Sequence, residues 1–284
     1  MSRHKPAQAR DPRQNSQERP VSSQQGRNRP LRGSNAPKLG QHFLRSIGIL
    51  ERIAREACPE DCPLVVEIGP GRGALTEHLL RRAKTVHAVE LDPELWMELD
   101  DRWGHEKRFH LIRGNAMHVD WSSFGPGVLT GNLPYYVATA IISRYLRNPG
   151  NLESGVFLIQ KEVADRMTAQ PGTSEYGYLS VECQYLAEAR SLFQVPPGAF
   201  RPPPKVDSAV VRLVPHKERP PEMEAFLKFA SACFRQKRKM LRNNLSPLYA
   251  RELLDAMPES SMRAEQLPVA QLVDLHGRLS KPAA

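Results

Sequence analysis

Short apolar runs alternate with amphipathic segments along most of the chain. The apolar runs predict strands at 64–68, 85–91, 109–113, 127–130, 155–160 and 208–214. Helical spacing of apolar positions predicts helices at 74–82, from Pro93 onward and at 137–146. This alternation is typical of a parallel sheet with crossover helices, so we expect a doubly wound, Rossmann-like α/β domain with a mixed, mostly parallel sheet.

The pattern changes beyond Pro215, where apolar positions recur with helical spacing only. Helices are predicted at 222–234, 246–257 and 269–279. We therefore expect an α/β domain over 39–215 followed by a small all-helical domain over 216–284.

The first 38 residues have a different composition. They carry nine Lys and Arg side chains against Asp11 and Glu18, a net charge of +7, and few aliphatic residues. Such a segment cannot bury enough apolar surface to fold, which predicts a disordered basic arm over 1–38. An Arg-rich arm suits nucleic-acid phosphates, but a solubilising tail fits equally well. A mitochondrial presequence fits less well because the apolar helical face is missing.

The composition of the whole chain argues against a membrane-spanning protein, a disulfide scaffold and a metal site. The 284 residues have a formal net charge of +9, and no apolar stretch approaches the roughly 18 residues of a membrane helix. The four cysteines are too scattered for a disulfide scaffold, and no apolar leader is visible, which favours a reducing cytoplasm. Cys58 and Cys62 have no matching Cys or His pair at metal-site spacing, so we expect no metal.

A glycine-rich turn, E-I-G-P-G-R-G at 67–73, connects the first predicted strand to the first helix. Glycines permit backbone conformations that let a ligand approach closely. Glu90 ends the next strand, where its carboxylate can accept hydrogen bonds from both hydroxyls of a ribose. Together with Ala74 the turn also fits a dinucleotide fingerprint, so a nicotinamide cofactor stays an alternative. Acidic Glu67 and the third close glycine favour S-adenosylmethionine.

Asn115 follows the predicted strand at 109–113. Its side-chain oxygen can accept a hydrogen bond from the amino group of an adenine bound in the crevice. Asparagine is also common in turns because it bonds its own backbone, so both interpretations stay open.

The most specific motif is G-N-L-P-Y-Y at 131–136, directly after the predicted strand at 127–130. An amino group on an aromatic ring is a poor nucleophile, because its lone pair is delocalised into the ring. The Asn132 side-chain oxygen and the Leu133 carbonyl can accept its two hydrogens and so direct the lone pair toward a methyl donor. Tyr135 offers a face on which an extruded base can stack. We predict a catalytic loop formed by Asn132, Leu133, Pro134 and Tyr135; tyrosines that pack in the core are the structural alternative.

Taken together, these motifs resemble those of the ribosomal small-subunit RNA adenine dimethyltransferases, over about residues 39–280. The resemblance rests on G-Q-H-F-L at 40–44, the glycine turn, V-E-L-D ending at Asp92, N-L-P-Y at 132–135, F-R-P-P-P-K-V at 200–206 and F-R-Q-K-R-K-M-L-R-N-N-L at 234–245. It implies an S-adenosylmethionine-dependent enzyme that dimethylates two adjacent adenosines in the 3′-terminal hairpin of small-subunit rRNA. It further implies action on a pre-ribosomal particle, a role in ribosome biogenesis and a monomeric enzyme.

The resemblance also implies roles for individual residues. Phe200 is expected to form a second aromatic wall opposite Tyr135. The chain departs from the family, which usually has asparagine at His42 and commonly aspartate at Asn115. We expect these departures to shift cofactor affinity and not to abolish function. The implied cofactor contacts are His42, Leu44, Gly69, Glu90, Asn115 and Asn132.

Five basic side chains crowd eight residues of the helical part, and we predict a basic helix that contacts RNA phosphates. A solvated helical face without a partner is the alternative. The five side chains are Arg235, Lys237, Arg238, Lys239 and Arg242.

Two further functions stay open: a large-subunit rRNA adenine methyltransferase of the macrolide-resistance type, and a non-catalytic RNA-binding assembly or transcription factor of the same fold.

Overall fold

The computed structural model describes residues 42–59, 62–218, 220 and 222–280. The basic arm predicted over 1–38 lies outside the described residues. The strands are β1 (Phe43–Leu44), β2 (Val65–Ile68), β3 (Val86–Glu90), β4 (Phe109–Arg113), β5 (Gly127–Asn132), β6 (Leu152–Gln160), β7 (Ala187–Val195), β8 (Phe200–Arg201) and β9 (Ser208–Pro215). The helices are α1 (Ile47–Ala57), α2 (Ala74–Leu80), α3 (Pro93–Trp103), α4 (Ala138–Arg147), α5 (Lys161–Thr168), α6 (Tyr178–Leu186), α7 (Met223–Cys233), α8 (Leu241–Leu245), α9 (Arg251–Asp255) and α10 (Val269–Leu279).

Seven strands form one sheet in the order β4-β3-β2-β5-β6-β9-β7. The first five are parallel, while β9 runs antiparallel to both β6 and β7. This confirms the mixed, mostly parallel sheet. Strands β2 and β5 are parallel neighbours, and from this pair the successive strands are added outward in opposite directions. The glycine turn after β2 and the loop after β5 therefore meet at the carboxyl edge of the sheet. A separate two-stranded ladder pairs β1 with β8.

Successive residues of the central strands are buried on opposite faces, which gives two apolar cores. In β2, Val65 packs into the core covered by α1, α2 and α3, whereas Val66 packs into the core that includes α4 and α6. The sheet is therefore the middle layer of three. Among the described residues, no helix combines the length and the apolarity that crossing a bilayer requires.

Through α7 and α10, the helices after residue 222 pack against α6, on the side of the sheet that α6 covers. Apolar side chains of α7 and α10, such as Phe226 and Leu272, belong to the same buried cluster as Val181 and Leu186 of α6. The helical character of this part is as predicted, with α10 at the predicted position. Its division from the α/β part at residue 215 remains a prediction.

Two predicted helices in this part are wrong. The basic segment at 234–245 is helical only from Leu241; residues 234–239 form turns, and Met240 bridges to Arg263. The buried Asn244 side chain explains the break, because its Nδ2 donates to the carbonyl oxygens of Cys233 (2.7 Å) and Gln236 (3.2 Å) and so ends α7.

The helix predicted over 246–257 is shortened to α9. Ala250 has an extended backbone, with φ −60° and ψ 146°, which separates the turns at 246–249 from the helix. Tyr249 places its ring against Phe229, with centroids 6.3 Å apart. Packing on α7 therefore overrides the local helical pattern.

Candidate active site

The glycine turn forms one wall of a cavity at the carboxyl edge of the sheet. Gly69, Gly71 and Gly73 have φ values of +64°, +59° and +76°, which belong to the left-handed region that favours glycine. A Cβ on Gly73 would lie 2.0 Å from the Trp103 ring, so this position also requires glycine for close packing. Gly69 and Gly71 line the cavity, so the turn that follows β2 presents backbone atoms and no Cβ to it.

Glu90 ends β3 beside this turn, and its carboxylate is fixed by backbone donors. Oε2 accepts from the amide of Gly71 (3.1 Å), and Oε1 accepts from the amide of Asp92 (2.8 Å). Burial raises the pKa of this carboxyl, and the two amide bonds oppose the rise. Each oxygen keeps a further lone pair, so the carboxylate can still accept from two hydroxyl groups of a ligand.

Glu67 is a second, more deeply buried carboxyl group on the same wall. The Thr76 hydroxyl donates to its Oε2 at 2.6 Å, and the residue is 1% exposed. Burial raises the pKa of Glu67 to about 8, so the group is protonated at neutral pH. It therefore adds no negative charge next to Glu90 at neutral pH.

The loop after β5 forms the opposite wall. Asn132 Nδ2 donates to the carbonyl oxygen of His42 at 3.1 Å, which fixes the side-chain amide. Within the described part of the chain, neither Asn132 Oδ1 nor the carbonyl oxygen of Leu133 accepts a hydrogen bond. Two acceptors on consecutive residues at the end of β5 thus have no donor within the described residues.

Tyr135 is half-buried in this wall. Its hydroxyl lies 2.7 Å from the Ser208 hydroxyl, and its ring centroid lies 5.8 Å from that of His42 at an interplanar angle of 31°. Burial raises the pKa of Tyr135, so its hydroxyl is neutral at physiological pH. His42 Nδ1 is 2.8 Å from the carbonyl oxygen of Pro202; because a carbonyl only accepts, this nitrogen carries the hydrogen.

The cavity between these walls has a volume of about 490 Å³, within the usual range for a small-molecule site. Most of the residues predicted from the sequence line it together, although they are up to 93 positions apart. These are His42, Leu44, Gly69, Glu90, Asn132, Leu133, Pro134 and Tyr135.

Two predicted residues do not line this cavity. Asn115 lines a second cavity of about 670 Å³, and its Oδ1 accepts from the backbone amide of Met117, which is the turn interaction given above as its structural alternative. Phe200 pairs with Leu44 in the β1–β8 ladder and is 3% exposed in the core. Their roles as an adenine contact and as an aromatic wall remain predictions.

Sequence reasoning missed Arg201 and Pro202, which do line the cavity. The signal for them is the F-R-P-P-P-K-V motif, which contains both residues, although the resemblance assigns a role only to the first residue of the motif. The side chains predicted to bind RNA are exposed, on the turns at 234–239 and on α8; they are Arg235, Lys237, Arg238, Lys239 and Arg242.

Among the described residues, no group of three His, Cys, Asp or Glu side chains could hold a metal ion.

Comparison with known proteins shows a close relationship over most of the chain. A family model described as ribosomal RNA adenine dimethylase matches residues 33–281. Ribosomal RNA small subunit methyltransferase A of Pseudomonas fluorescens is 42% identical over 259 residues, which cover 87% of this chain and 95% of the relative. The protein of that name from Acinetobacter baylyi is 40% identical over 250 residues, covering 85% and 91%.

Solved structures show the same fold. A dimethyladenosine transferase from Plasmodium falciparum superposes with a TM-score of 0.69 at 24% identity, covering 82% of this chain and 96% of the other. The 23S rRNA methyltransferase ErmE superposes with a TM-score of 0.65 at 26% identity, covering 84% and 100%.

Proposed function

This chain belongs to the ribosomal RNA adenine dimethylase family, and we propose that it dimethylates two adjacent adenosines in the 3′-terminal hairpin of small-subunit rRNA. It is an S-adenosylmethionine-dependent rRNA adenine dimethyltransferase. We further propose that it acts as a monomer in the cytoplasm on a pre-ribosomal particle, as a step in ribosome biogenesis.

The residues of the cavity fit S-adenosylmethionine. Its ribose has two hydroxyl groups, and the Glu90 carboxylate, held by two backbone amides, has an acceptor free for each. The positive φ values of the turn favour glycine, and because glycine has no side chain the space beside β2 stays open for the ligand. His42, Leu44 and Gly69 line the same cavity and would complete the contacts. The bound cofactor would supply an electrophilic methyl group on a sulfonium sulfur.

The observation that carries the proposal is the pair of available acceptors at the end of β5. An adenine amino group donates two hydrogens, and Asn132 Oδ1 and the Leu133 carbonyl oxygen can accept one each. Both bonds weaken the conjugation of the nitrogen with the ring and direct its lone pair toward the methyl donor. The methylated nitrogen would be cationic and would release one proton to water after transfer. The site therefore needs oriented acceptors and not a strong base, and its gain comes from alignment and a preorganised polar environment.

The same pair of acceptors is compatible with a second transfer. A monomethylated amine keeps one N–H, which needs one of the two acceptors and leaves the other beside the added methyl group. Tyr135 would hold the base through stacking worth about 1–3 kcal/mol, which helps offset the cost of unstacking it from RNA.

The test is methylation of undermethylated small ribosomal subunits with a tritiated methyl donor, followed by nuclease digestion, nucleoside chromatography and mapping of the labelled site. We expect label in dimethyladenosine within the 3′-terminal hairpin. Label that appears only on large-subunit rRNA, when such subunits are offered, would identify a large-subunit enzyme. RNA binding without label would identify a non-catalytic factor.

Asn132→Ala tests the catalytic assignment. We expect methyl transfer to fall about 100-fold or more, because one oriented polar group is lost from the reacting centre. The matched control is Asn148→Ala, which removes an exposed asparagine at the other end of α4. If Asn132→Ala and Tyr135→Ala both retained full activity, the loop at 132–135 would not be the catalytic loop.

A further inference from the structure

The Tyr135 hydroxyl is bonded to a residue from a distant part of the chain. Ser208 lies 73 positions later, and the two hydroxyl oxygens are 2.7 Å apart. Ser208 begins β9, where it pairs with Gln160 of β6 and Val195 of β7, and it is fully buried. The hydroxyl that meets Tyr135 is therefore fixed by the interior of the sheet.

This contact restrains the far end of the Tyr135 side chain. The hydroxyl oxygen lies on the axis of the torsion about the bond to the ring, so the hydrogen bond fixes where the far end of the ring lies. It restrains rotation of the ring plane only through the preference of the phenolic hydrogen for that plane, because the torsion itself is broad. The His42 ring limits movement on one side, and its own position is fixed by the bond between Nδ1 and the carbonyl oxygen of Pro202.

We propose that Ser208 is a positioning residue for methyl transfer, acting through Tyr135 to hold in place the ring on which the target adenine stacks. The proposal rests on the proposed function, because it assumes that Tyr135 receives the extruded base. Ser208 does not line the cavity, and the hydrogen bond of its side chain within the described residues is the one to Tyr135. Its effect therefore passes through one hydroxyl pair.

The structure makes this effect measurable with a double-mutant cycle on Ser208→Ala and Tyr135→Phe. Each change removes one partner of the hydrogen bond and leaves the aromatic face in place. We expect each single variant to lower kcat on undermethylated small subunits by about 3- to 10-fold, the range of a neutral hydrogen bond. The double variant should be no slower than the slower single variant, because the bond can be lost only once.

Two further measurements separate positioning from a general loss of structure. Binding of S-adenosylmethionine, measured by calorimetry, should be unchanged in all three variants. Ser180→Ala is the matched control: Ser180 is equally buried, and its hydroxyl donates to the Arg166 carbonyl oxygen on α5, away from the cavity. This control should lower thermal stability without lowering kcat.

Three results would overturn the proposal. One is a Ser208→Ala protein with the wild-type kcat. Another is a further fall in kcat when Ser208→Ala is added to Tyr135→Phe, because the serine would then act by another route. The third is a wild-type protein that labels no RNA, which would overturn the proposed function together with this inference. Tyr135→Phe retains the Ser208 side chain and so provides a readout even if Ser208→Ala folds poorly.

Discussion

Burial gives Glu67 a protonation state that depends on folding. Its pKa is about 8 in the folded protein, against an ordinary value of 4.5. Between these two pH values the folded state holds one proton more than the unfolded state. The free energy of unfolding therefore falls as pH rises, by about 1 kcal/mol per pH unit from this group alone, and the fall ends above pH 8.

Glu67→Gln should remove this contribution, because the amide does not titrate but can still accept from Thr76. We expect the variant to gain stability relative to wild type as pH rises from 5 to 8, measured by urea unfolding at each pH. The surface change Glu162→Gln controls for the loss of a carboxylate. Parallel pH profiles for Glu67→Gln and wild type would show that Glu67 is ionised in the folded protein.

At the residue scale, the sequence identified side chains whose roles follow from their position on a strand. Glu90 and Asn132 end parallel strands, so the topology alone brings them to one edge of the sheet. The sequence could not show which partners these side chains meet. Nothing in the pattern pairs Tyr135 with Ser208 or places Phe200 in the core, since both depend on the path of the chain between 187 and 208.

At the scale of an element, the glycine turn contains two positions with different requirements. Both Gly69 and Gly73 have positive φ, but a Cβ on Gly69 would have room, with the Asn132 carbonyl oxygen 3.9 Å away. A Cβ on Gly73 would overlap the Trp103 ring, a side chain that is itself 9% exposed. Gly69 is thus required by backbone conformation, and Gly73 by conformation and packing.

Alanine substitutions distinguish these requirements. Gly69→Ala should cost about 1–2 kcal/mol of unfolding free energy, the strain of a left-handed residue with a Cβ. Gly73→Ala should cost more, by about 1–3 kcal/mol, because Trp103 must move in a packed core. Urea unfolding of the two variants measures both values, and equal losses would show that Trp103 moves aside freely.

Elements with clear boundaries were predicted well, and elements without them were missed. Pro93 and the glycine turn mark the starts of α3 and α2, and both helices are where the sequence placed them. In contrast, α5, α6 and β7 are not predicted from the sequence. Helix α5 begins directly after the predicted strand β6, between Gln160 and Lys161, and β7 begins directly after α6, between Leu186 and Ala187. No glycine or proline separates these elements, so the sequence gives no local signal for the change in backbone.

At the scale of the whole molecule, an ion pair with a buried carboxylate connects α4, the helix after the predicted catalytic loop, to α6, and the same arginine reaches Glu224 at the start of α7. Arg147 of α4 bonds the Glu182 carboxylate through Nη2 (2.7 Å) and Nε (2.9 Å), and it also reaches Tyr178 and Glu224. The Glu182 side chain is 3% exposed. Without Arg147, this carboxylate would lose its cationic partner and keep only neutral hydroxyl groups beside it among the described residues, those of Ser143 and Tyr178.

Arg147→Met should therefore lower the free energy of unfolding by about 3–5 kcal/mol, the cost of leaving a buried charge without its partner. Arg166→Met is the matched control, because its ion pair with Glu162 is exposed and should contribute less than about 1 kcal/mol. Adding Glu182→Gln to Arg147→Met should recover part of the loss. Similar losses for the two arginine variants in urea unfolding would contradict this role for the buried pair.

The exposed basic side chains at 235–242 are the remaining feature that the proposed function has to explain. All but Arg242, which lies on α8, are on turns, so they do not form the predicted basic helix, but their exposure leaves their charges available to phosphates. Lys237 is the exception, because its Nζ already donates to the Ser174 carbonyl oxygen. Arg238 and Lys239 are therefore the clearest test of RNA contact.

The double change Arg238→Glu and Lys239→Glu should weaken binding to small-subunit rRNA and reduce its dependence on salt. Each lost phosphate contact lowers the slope of log affinity against log salt by about 1, so the expected reduction is about 2. Filter binding between 50 and 300 mM salt measures the slope. Arg251→Glu is the control, since Arg251 is an exposed cation of the neighbouring α9 that is paired with Asp255. An unchanged slope in the double variant would show that the turns at 234–239 are a solvated surface, and that the RNA is held by other parts of the chain.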